Sequence, residues 1–253
     1  MKTALTIAEM KRVRQAWAAS GETVGFVPTM GALHRGHVSL IERARADGAR
    51  VVVSIFVNPT QFNDPKDFAQ YPQPLDEDLE LLRRLEVDAA FLPQAPEIYK
   101  DQYRFEVRES ELSKILCGAK RPGHFTGVLT VVLKLLNIVE PTRAVFGEKD
   151  YQQFQLLRDM ARSLFLKTEI IGCPTIREED GLALSSRNAR LSVEQRRVAP
   201  HLYQILRGAN SVAEAEGRLR EAGFKVDYVE EHFGRRFVAA FLGDVRLIDN
   251  ETI

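Results

Sequence analysis

His34 and His37 stand three positions apart in FVPTMGALHRGHVSLI, residues 26 to 41, with Gly36 between them, where an apolar run gives way to a helical pattern. Paired imidazoles can hold a metal, meet a phosphate or simply occupy a loop. A metal would need a third ligand at a definable spacing, and neither an HExxH helix nor a nearby Cys or His cluster supplies one. A phosphate would need a strand, a tight glycine turn and a helix start, where unpaired backbone N–H groups and the helix dipole attract anions. TMGALHRGH has that layout, with Gly31 and Gly36 letting the backbone come close. On these residues alone, the phosphate reading and the plain-loop reading both stand.

Other loops hold comparable chemistry, each beside a plainer alternative. NPTQFN at 58 to 63 follows the apolar VVVSIFV, so Asn58 and Gln61 project from a strand end, or Asn and Pro merely build a turn. GEKDYQQF at 147 to 154 follows AVF and puts Lys149 and Asp150 just past a strand, with Gln153 in the next helical turn; a solvated helix cap at Asp150 is the alternative. REEDGLALSSRNARLS at 177 to 192 sets two serines beside an arginine, in an active loop or an exposed linker. KRPGHF at 120 to 125 is a basic loop suited to a carboxylate or phosphate, a weak signal by itself. GxGxxG is absent, and GAKRPG at 118 to 123 continues with His124 and Phe125, which excludes a P-loop.

The elements that would carry these loops alternate. TVGFV at 23 to 27, a helix from about Gly36 to Asp47 and VVVSIFV at 51 to 57 form a βαβ unit. LDEDLELLRRL at 75 to 85 places leucines 75, 79, 82 and 85 on one helical face and precedes the strand DAAFLP. A packed helix over 126 to 140 leads to the strand RAVFG, the helix DYQQFQLLRDMARSLF and the strand TEIIG. Strands rich in Val, Ile and Phe without polar alternation suit a parallel sheet covered on both faces. The expectation is a doubly wound α/β domain, whose ligands bind beyond the carboxyl ends of the strands. Past Pro174 come two capping-box patterns, Ser192 with Gln195 and Ser211 with Glu214, then KVDYVEE, RFVAAFLG and VRLID, a small helix-plus-strand appendage.

Composition narrows the function classes. Lys plus Arg and Asp plus Glu both number 35, which removes the broad basic field that nucleic-acid binding needs. Cys117 and Cys173 lie far apart and outside any CxxC spacing, so buried, reduced thiols are expected. The N-terminus lacks an uninterrupted apolar h-region, and the longest apolar stretch, 127 to 139, is too short to span a bilayer and holds Lys134. A cytoplasmic protein without membrane or nucleic-acid partners is expected.

Taken in order, TMGALHRGH, FVNPTQF, RPGHFTGV, FGEKDYQQF and ALSSRNARLS resemble the pantothenate synthetase family. The likeness runs from about Val24 to Arg190 and weakly to the closing DYVE and RLIDN. It implies membership of the HIGH-type nucleotidyltransferase superfamily, with HRGH as its first signature and LSSRN as its KMSKS-like second. The implied fold is a Rossmann-like doubly wound parallel sheet, residues 1–175, with a small α+β C-terminal domain, residues 176–253, acting as a lid.

The activity so implied joins pantoate to β-alanine through a pantoyl-adenylate, splitting ATP to AMP and pyrophosphate, in a homodimer. Met30 through His37 would then wall the ATP site, with His34 and His37 at the phosphates and His37 matching the proton donor proposed for the family. Gly147, Lys149 and Asp150 match a second ATP segment, Ile176 an adenine contact, and Leu184, Ser185, Ser186 and Arg187 the mobile phosphate loop. Gln61 and Gln153 match the grip on pantoate, with Asn58 nearby. Two features depart from the family pattern: Leu184 stands where methionine is common, and the stretch between DYVEE and RFVAAF is short. Mg2+ is expected on the phosphates, with Glu77 and Asp78 as candidate ligands.

Overall fold

Val24–Thr29 (β2) and Arg50–Ile55 (β3), both largely buried, pair in parallel and in register from Val24 opposite Arg50 to Thr29 opposite Ile55. The computed structural model describes all 253 residues, Met1–Ile253. Lys2–Ala4 (β1), Ala89–Phe91 (β4), Arg143–Gly147 (β5) and Glu169–Cys173 (β6) complete a six-stranded parallel sheet of order β1-β4-β3-β2-β5-β6.

Successive residues point to opposite faces, and both faces are covered, which explains the continuous apolar runs. Phe26, Val52, Phe91 and Phe146 pack with the helices Ile7–Ala19, His124–Val139 and Tyr151–Ser163. Val27, Val51, Val53 and Val145 pack on the other face with the helices Arg35–Ala44 and Leu75–Arg84. From β2 the chain moves outward through β3 and β4, and β5 and β6 are added on the opposite side. The strand order therefore reverses between β2 and β5, where a crevice opens at their carboxyl ends.

Lys225–His232 (β7), Arg235–Leu242 (β8) and Val245–Thr252 (β9) form an antiparallel meander. Tyr228, Phe237 and Ala239 join the core of the large sheet, whereas Val229, Val238, Ala240 and Leu247 pack with the helices His201–Gly208 and Val212–Glu221.

Several local expectations shift. The helix expected to reach Asp47 ends at Ala44, and a 3-10 turn with Asp47 at φ 59° follows. Leu75 is exposed while Leu79, Leu82 and Leu85 join the core, so the leucine face starts one turn later. Ser192 and Gln195 form a reciprocal capping box. Ser211 accepts from the Glu214 N–H, but the Glu214 carboxylate is drawn to the backbone and side-chain N–H groups of Asn210, so that second box is half formed. β1 and the helix Ile7–Ala19 had no counterpart in the periodicity, although Thr6 and Glu9 make a capping box of the expected TxxE type.

Candidate active site

The β2–β5 crevice opens into a cavity of about 1040 Å³, at the upper end of what small-molecule sites span. Met30, His34, His37, Asn58, Gln61, Gly147, Lys149, Asp150, Gln153, Ile176, Leu184, Ser185, Ser186 and Arg187 all line it. Residues from loops as much as 157 positions apart in sequence thus share one wall because the strands that carry them end at one edge.

At the end of β2, Thr29 Oγ1 donates to the Ser54 carbonyl at 2.7 Å and accepts from the Gly31 N–H at 3.1 Å. Gly31 adopts φ +83°, a conformation that a side chain would strain. The next two N–H groups, of Ala32 and Leu33, donate to the two Asp78 carboxylate oxygens at 2.8 and 2.7 Å. Asp78, a magnesium candidate on sequence grounds, is buried as a clamp on this turn, and its neighbour Glu77 does not line the cavity.

His34 then caps the helix Arg35–Ala44, its Nδ1 accepting from the Gly36 N–H at 3.1 Å, while His37 Nδ1 accepts from the His34 N–H at 3.2 Å. With both Nδ1 atoms accepting, each ring is a neutral imidazole protonated on Nε2. Burial, followed by the Lys149 charge, holds His34 down to about 4. Burial, His34 and Lys149 outweigh the pull of Asp150 and hold His37 down to about 3. At neutral pH the pair supplies two N–H donors and no charge.

Lys149, at the end of β5, is the nearby cation, with Asp150 3.8 Å away. Its loop is fastened from the far end of the chain: the Asn250 amide on β9 donates to the carbonyls of Glu148 and Lys149 at 2.9 and 3.0 Å. Gln152 turns into the core, donating to the carbonyls of Leu112 and Ile115 and accepting from the Cys117 N–H, and Gln153 is the glutamine of the pair that lines the cavity.

At the end of β3, Asn58 is 1% exposed and its side chain is committed internally. Its Nδ2 donates to Gln61 Oε1 at 3.0 Å and to the Gly127 carbonyl at 3.3 Å, and its Oδ1 accepts from Tyr99 OH at 2.6 Å. A Cβ on Gly127 would meet the Thr60 carbonyl at 2.4 Å, so a glycine there lets the helix His124–Val139 press against this loop. Gln61 Nε2 has only the Met30 thioether as partner, at 3.2 Å. The Gln61 carbonyl accepts from His124 Nδ1 at 2.8 Å and from Arg121 at 3.0 Å, which gives the KRPGHF loop a structural tie to the site.

The serine loop closes the opposite wall. Ser185 Oγ accepts from the Arg187 N–H at 3.3 Å, and Ser186 Oγ donates to the Ala32 carbonyl at 3.1 Å, joining this loop to the histidine turn. Arg187, expected to reach for phosphate, bonds Asp67 at 2.8 Å, and Arg190 bonds the other oxygen of Asp67 at 2.6 Å. Asp67 carries no local sequence signal, and Asn250 only closes the RLIDN stretch, because their partners lie more than 100 positions away. No group of three or more His, Cys, Asp or Glu side chains is arranged to hold a metal ion. Asp67, Asp227 and Asp249 are taken up by arginines.

Residues 2–252 match the family model described as pantoate-beta-alanine ligase. The chain is 56% identical to the pantothenate synthetase of Bdellovibrio bacteriovorus over 240 residues, 94% of this chain and 96% of the relative. It is 48% identical to that of Fervidobacterium nodosum, covering 100% of this chain and 99% of the relative. Among solved structures it superposes with a TM-score of 0.95, at 43% identity, on the pantoate-beta-alanine ligase of Francisella tularensis complexed with beta-gamma ATP and β-alanine, covering 100% of this chain and 97% of that one. Pantothenate synthetase of Thermus thermophilus gives a TM-score of 0.92 at 43% identity, covering 100% of this chain and 99% of the other.

Proposed function

The chain belongs to the pantoate-beta-alanine ligase family, and from that premise we propose that it condenses pantoate with β-alanine to pantothenate, splitting ATP to AMP and pyrophosphate through a pantoyl-adenylate. The observation that carries this reading is the neutral His34–His37 pair beside Lys149 at the β2–β5 crevice, facing a cavity that also holds two glutamine amides.

A carboxylate does not react with an amine directly, because its leaving group would be oxide or hydroxide. In the first step a pantoate carboxylate oxygen attacks the α-phosphorus of ATP and the bond to pyrophosphate breaks. Charge grows on the departing pyrophosphate, where preorganised N–H donors and a cation lower the barrier. The Nε2–H groups of His34 and His37, the Lys149 ammonium, the hydroxyls of Ser185 and Ser186, and Arg187 once released from Asp67 fill that role. Met30, Gly147, Asp150, Ile176 and Leu184 complete the nucleotide wall.

In the second step the β-alanine amine attacks the acyl carbon, AMP departs and the amine gives up a proton. Gln61 and Gln153 hold the pantoate hydroxyls, since an amide both donates and accepts without adding charge beside a reacting carboxylate. Asn58 acts by aiming Gln61. The side chains present do not build a resident magnesium site, so Mg2+ enters with the phosphates as part of the nucleotide substrate.

Residues 176–253 are read as the lid that shields the acyl-adenylate from water. Its ties to the Lys149 loop through Asn250 support that role. No helix is long and apolar enough to cross a membrane. A cytoplasmic homodimer remains part of the proposal.

The test is AMP formation from ATP and pantoate with and without β-alanine, alongside exchange of labelled pyrophosphate into ATP. Exchange that needs pantoate but not β-alanine, and net AMP release that needs both, is the expected result. Release of a stable nucleotide adduct would instead indicate an adenylyltransferase, and no turnover at all a silent nucleotide-binding module.

A further inference from the structure

Four arginines line the cavity, and three have a carboxylate partner within the protein: Arg187 and Arg190 share Asp67, and Arg246 pairs with Asp227 at 2.8 Å. Arg121 has no carboxylate partner. One terminal nitrogen contacts His124 Nε2 at 3.1 Å and the other donates to the Gln61 carbonyl at 3.0 Å. The guanidinium is thereby fixed in orientation with only two of its five N–H donors used. Burial, together with Arg187 and Arg246 nearby, depresses Arg121 to about 10, so it is still a full cation at neutral pH. A partly buried charge with like charges around it and no counter-ion is costly, and an arriving anion would relieve that cost.

Resting on the ligase reading, we propose that Arg121 docks the carboxylate of the amine substrate and so makes the second step select an amino acid over a plain amine. Two carboxylates enter the reaction. That of pantoate is the nucleophile at the α-phosphorus and loses its charge on adenylation, so it belongs at the Lys149 and histidine end. That of β-alanine keeps its charge into the product and needs a cation throughout. Lys66, Lys120 and Lys225 also line the cavity but are exposed, where solvent screening leaves an ion pair little net worth. Arg121 sits against the Gln61 segment that holds pantoate, and its planar fork matches a carboxylate in a way that an ammonium does not.

The experiment compares the wild type with Arg121→Gln and Arg121→Lys, using β-alanine and its uncharged amide as competing amines. Arg121→Gln is expected to raise the KM for β-alanine roughly 10-fold to 100-fold, the range for hydrogen bonds to a charged group. Its preference for β-alanine over the amide should collapse, and Arg121→Lys should restore part of it. Pantoate-dependent pyrophosphate exchange should stay close to wild type, which also reports that Gln61 keeps its place. Exchange falling in step with the overall reaction would overturn the proposal and make Arg121 a positioning residue for Gln61. An unchanged preference would place the carboxylate elsewhere. Absence of pantoate-dependent exchange in the wild type would instead sink the ligase reading, whatever the variants do.

Discussion

Asn58 Nδ2 donates to Gln61 Oε1 at 3.0 Å, and this bond decides which way the Gln61 amide faces. With its oxygen tied back, Gln61 presents its NH2 toward the cavity, where a thioether sulfur is its only protein partner. Sulfur is a weak acceptor, so a substrate hydroxyl would displace it at little cost.

Gln61→Ala should therefore raise the pantoate requirement by about 1 to 3 kcal/mol while leaving ATP affinity nearly intact. Asn58→Ala should do the same without touching substrate, and should also lower the melting temperature because it removes the buried Oδ1 acceptor of Tyr99 OH, which keeps only Thr60 Oγ1 at 3.1 Å. Calorimetry with each substrate separates the cases. A loss of ATP affinity with pantoate affinity unchanged in Gln61→Ala would show that the loop serves the nucleotide.

Lys149 and His37 should act mainly on adenylation, where charge moves toward pyrophosphate. By analogy with removal of one preorganised donor, each Ala variant should slow that step roughly 100-fold to 1000-fold. Supplied with preformed pantoyl-adenylate, both variants should recover most of their rate. Lys149→Ala should melt near wild type, whereas His37→Ala loses the acceptor for the His34 N–H, worth about 1 kcal/mol at a helix cap. Equal defects in both half-reactions, measured by single-turnover kinetics, would reassign the two residues to general positioning.

The parallel sheet and the loops at its carboxyl edge were legible because the strands are unbroken apolar runs and each loop follows one directly in sequence. Which side chains in those loops face the cavity was less legible. Asn58 and Gln61 read as equivalent amides, yet one is buried and spent on the other; Gln152 and Gln153 are adjacent, yet one turns into the core. Such choices rest on contacts with Gly127, Ile115 and Leu112, which no local spacing encodes. The Asp67 clasp on Arg187 joins positions 120 apart and has no sequence signature beyond its charges.

His124 ties stability to pH. The ring is buried and neutral, its Nδ1–H donating to the Gln61 carbonyl and its Nε2 facing Arg121, and burial followed by the Arg121 charge holds it down to about 3. In the unfolded chain a histidine titrates near 6.5, so between about 6.5 and 3 the unfolded state binds a proton that the folded state refuses. Stability is thus unaffected above that window and falls with decreasing pH inside it, by up to about 1.4 kcal/mol per pH unit for this one group. His124→Asn should flatten the acid limb of stability against pH, measured by denaturant titration between pH 7.5 and 4.5. A limb of unchanged slope would mean that His124 takes up its proton in the folded state.

Asn250 ties the small sheet to the Lys149 loop, and its amide permits a discriminating substitution. Nδ2 donates to the Glu148 and Lys149 carbonyls, while Oδ1 accepts from Arg235 at 2.6 Å. Asn250→Asp keeps the acceptor and strengthens its bond to Arg235, but a carboxylate cannot donate, and it sets negative charge against two carbonyl oxygens that lose their partner. Each carbonyl left without a donor costs about 1 to 3 kcal/mol if water cannot reach it. The Lys149 loop should loosen, and adenylation should slow by about 10-fold or more, since small misplacements of a positioned group are expensive. Because the second half-reaction no longer has pyrophosphate to stabilise, turnover from preformed adenylate should be much less affected. If Asn250→Asp lowered the melting temperature and left pyrophosphate exchange untouched, the tie between β9 and the Lys149 loop would be purely structural, and Lys149 would have to be held by β5 alone.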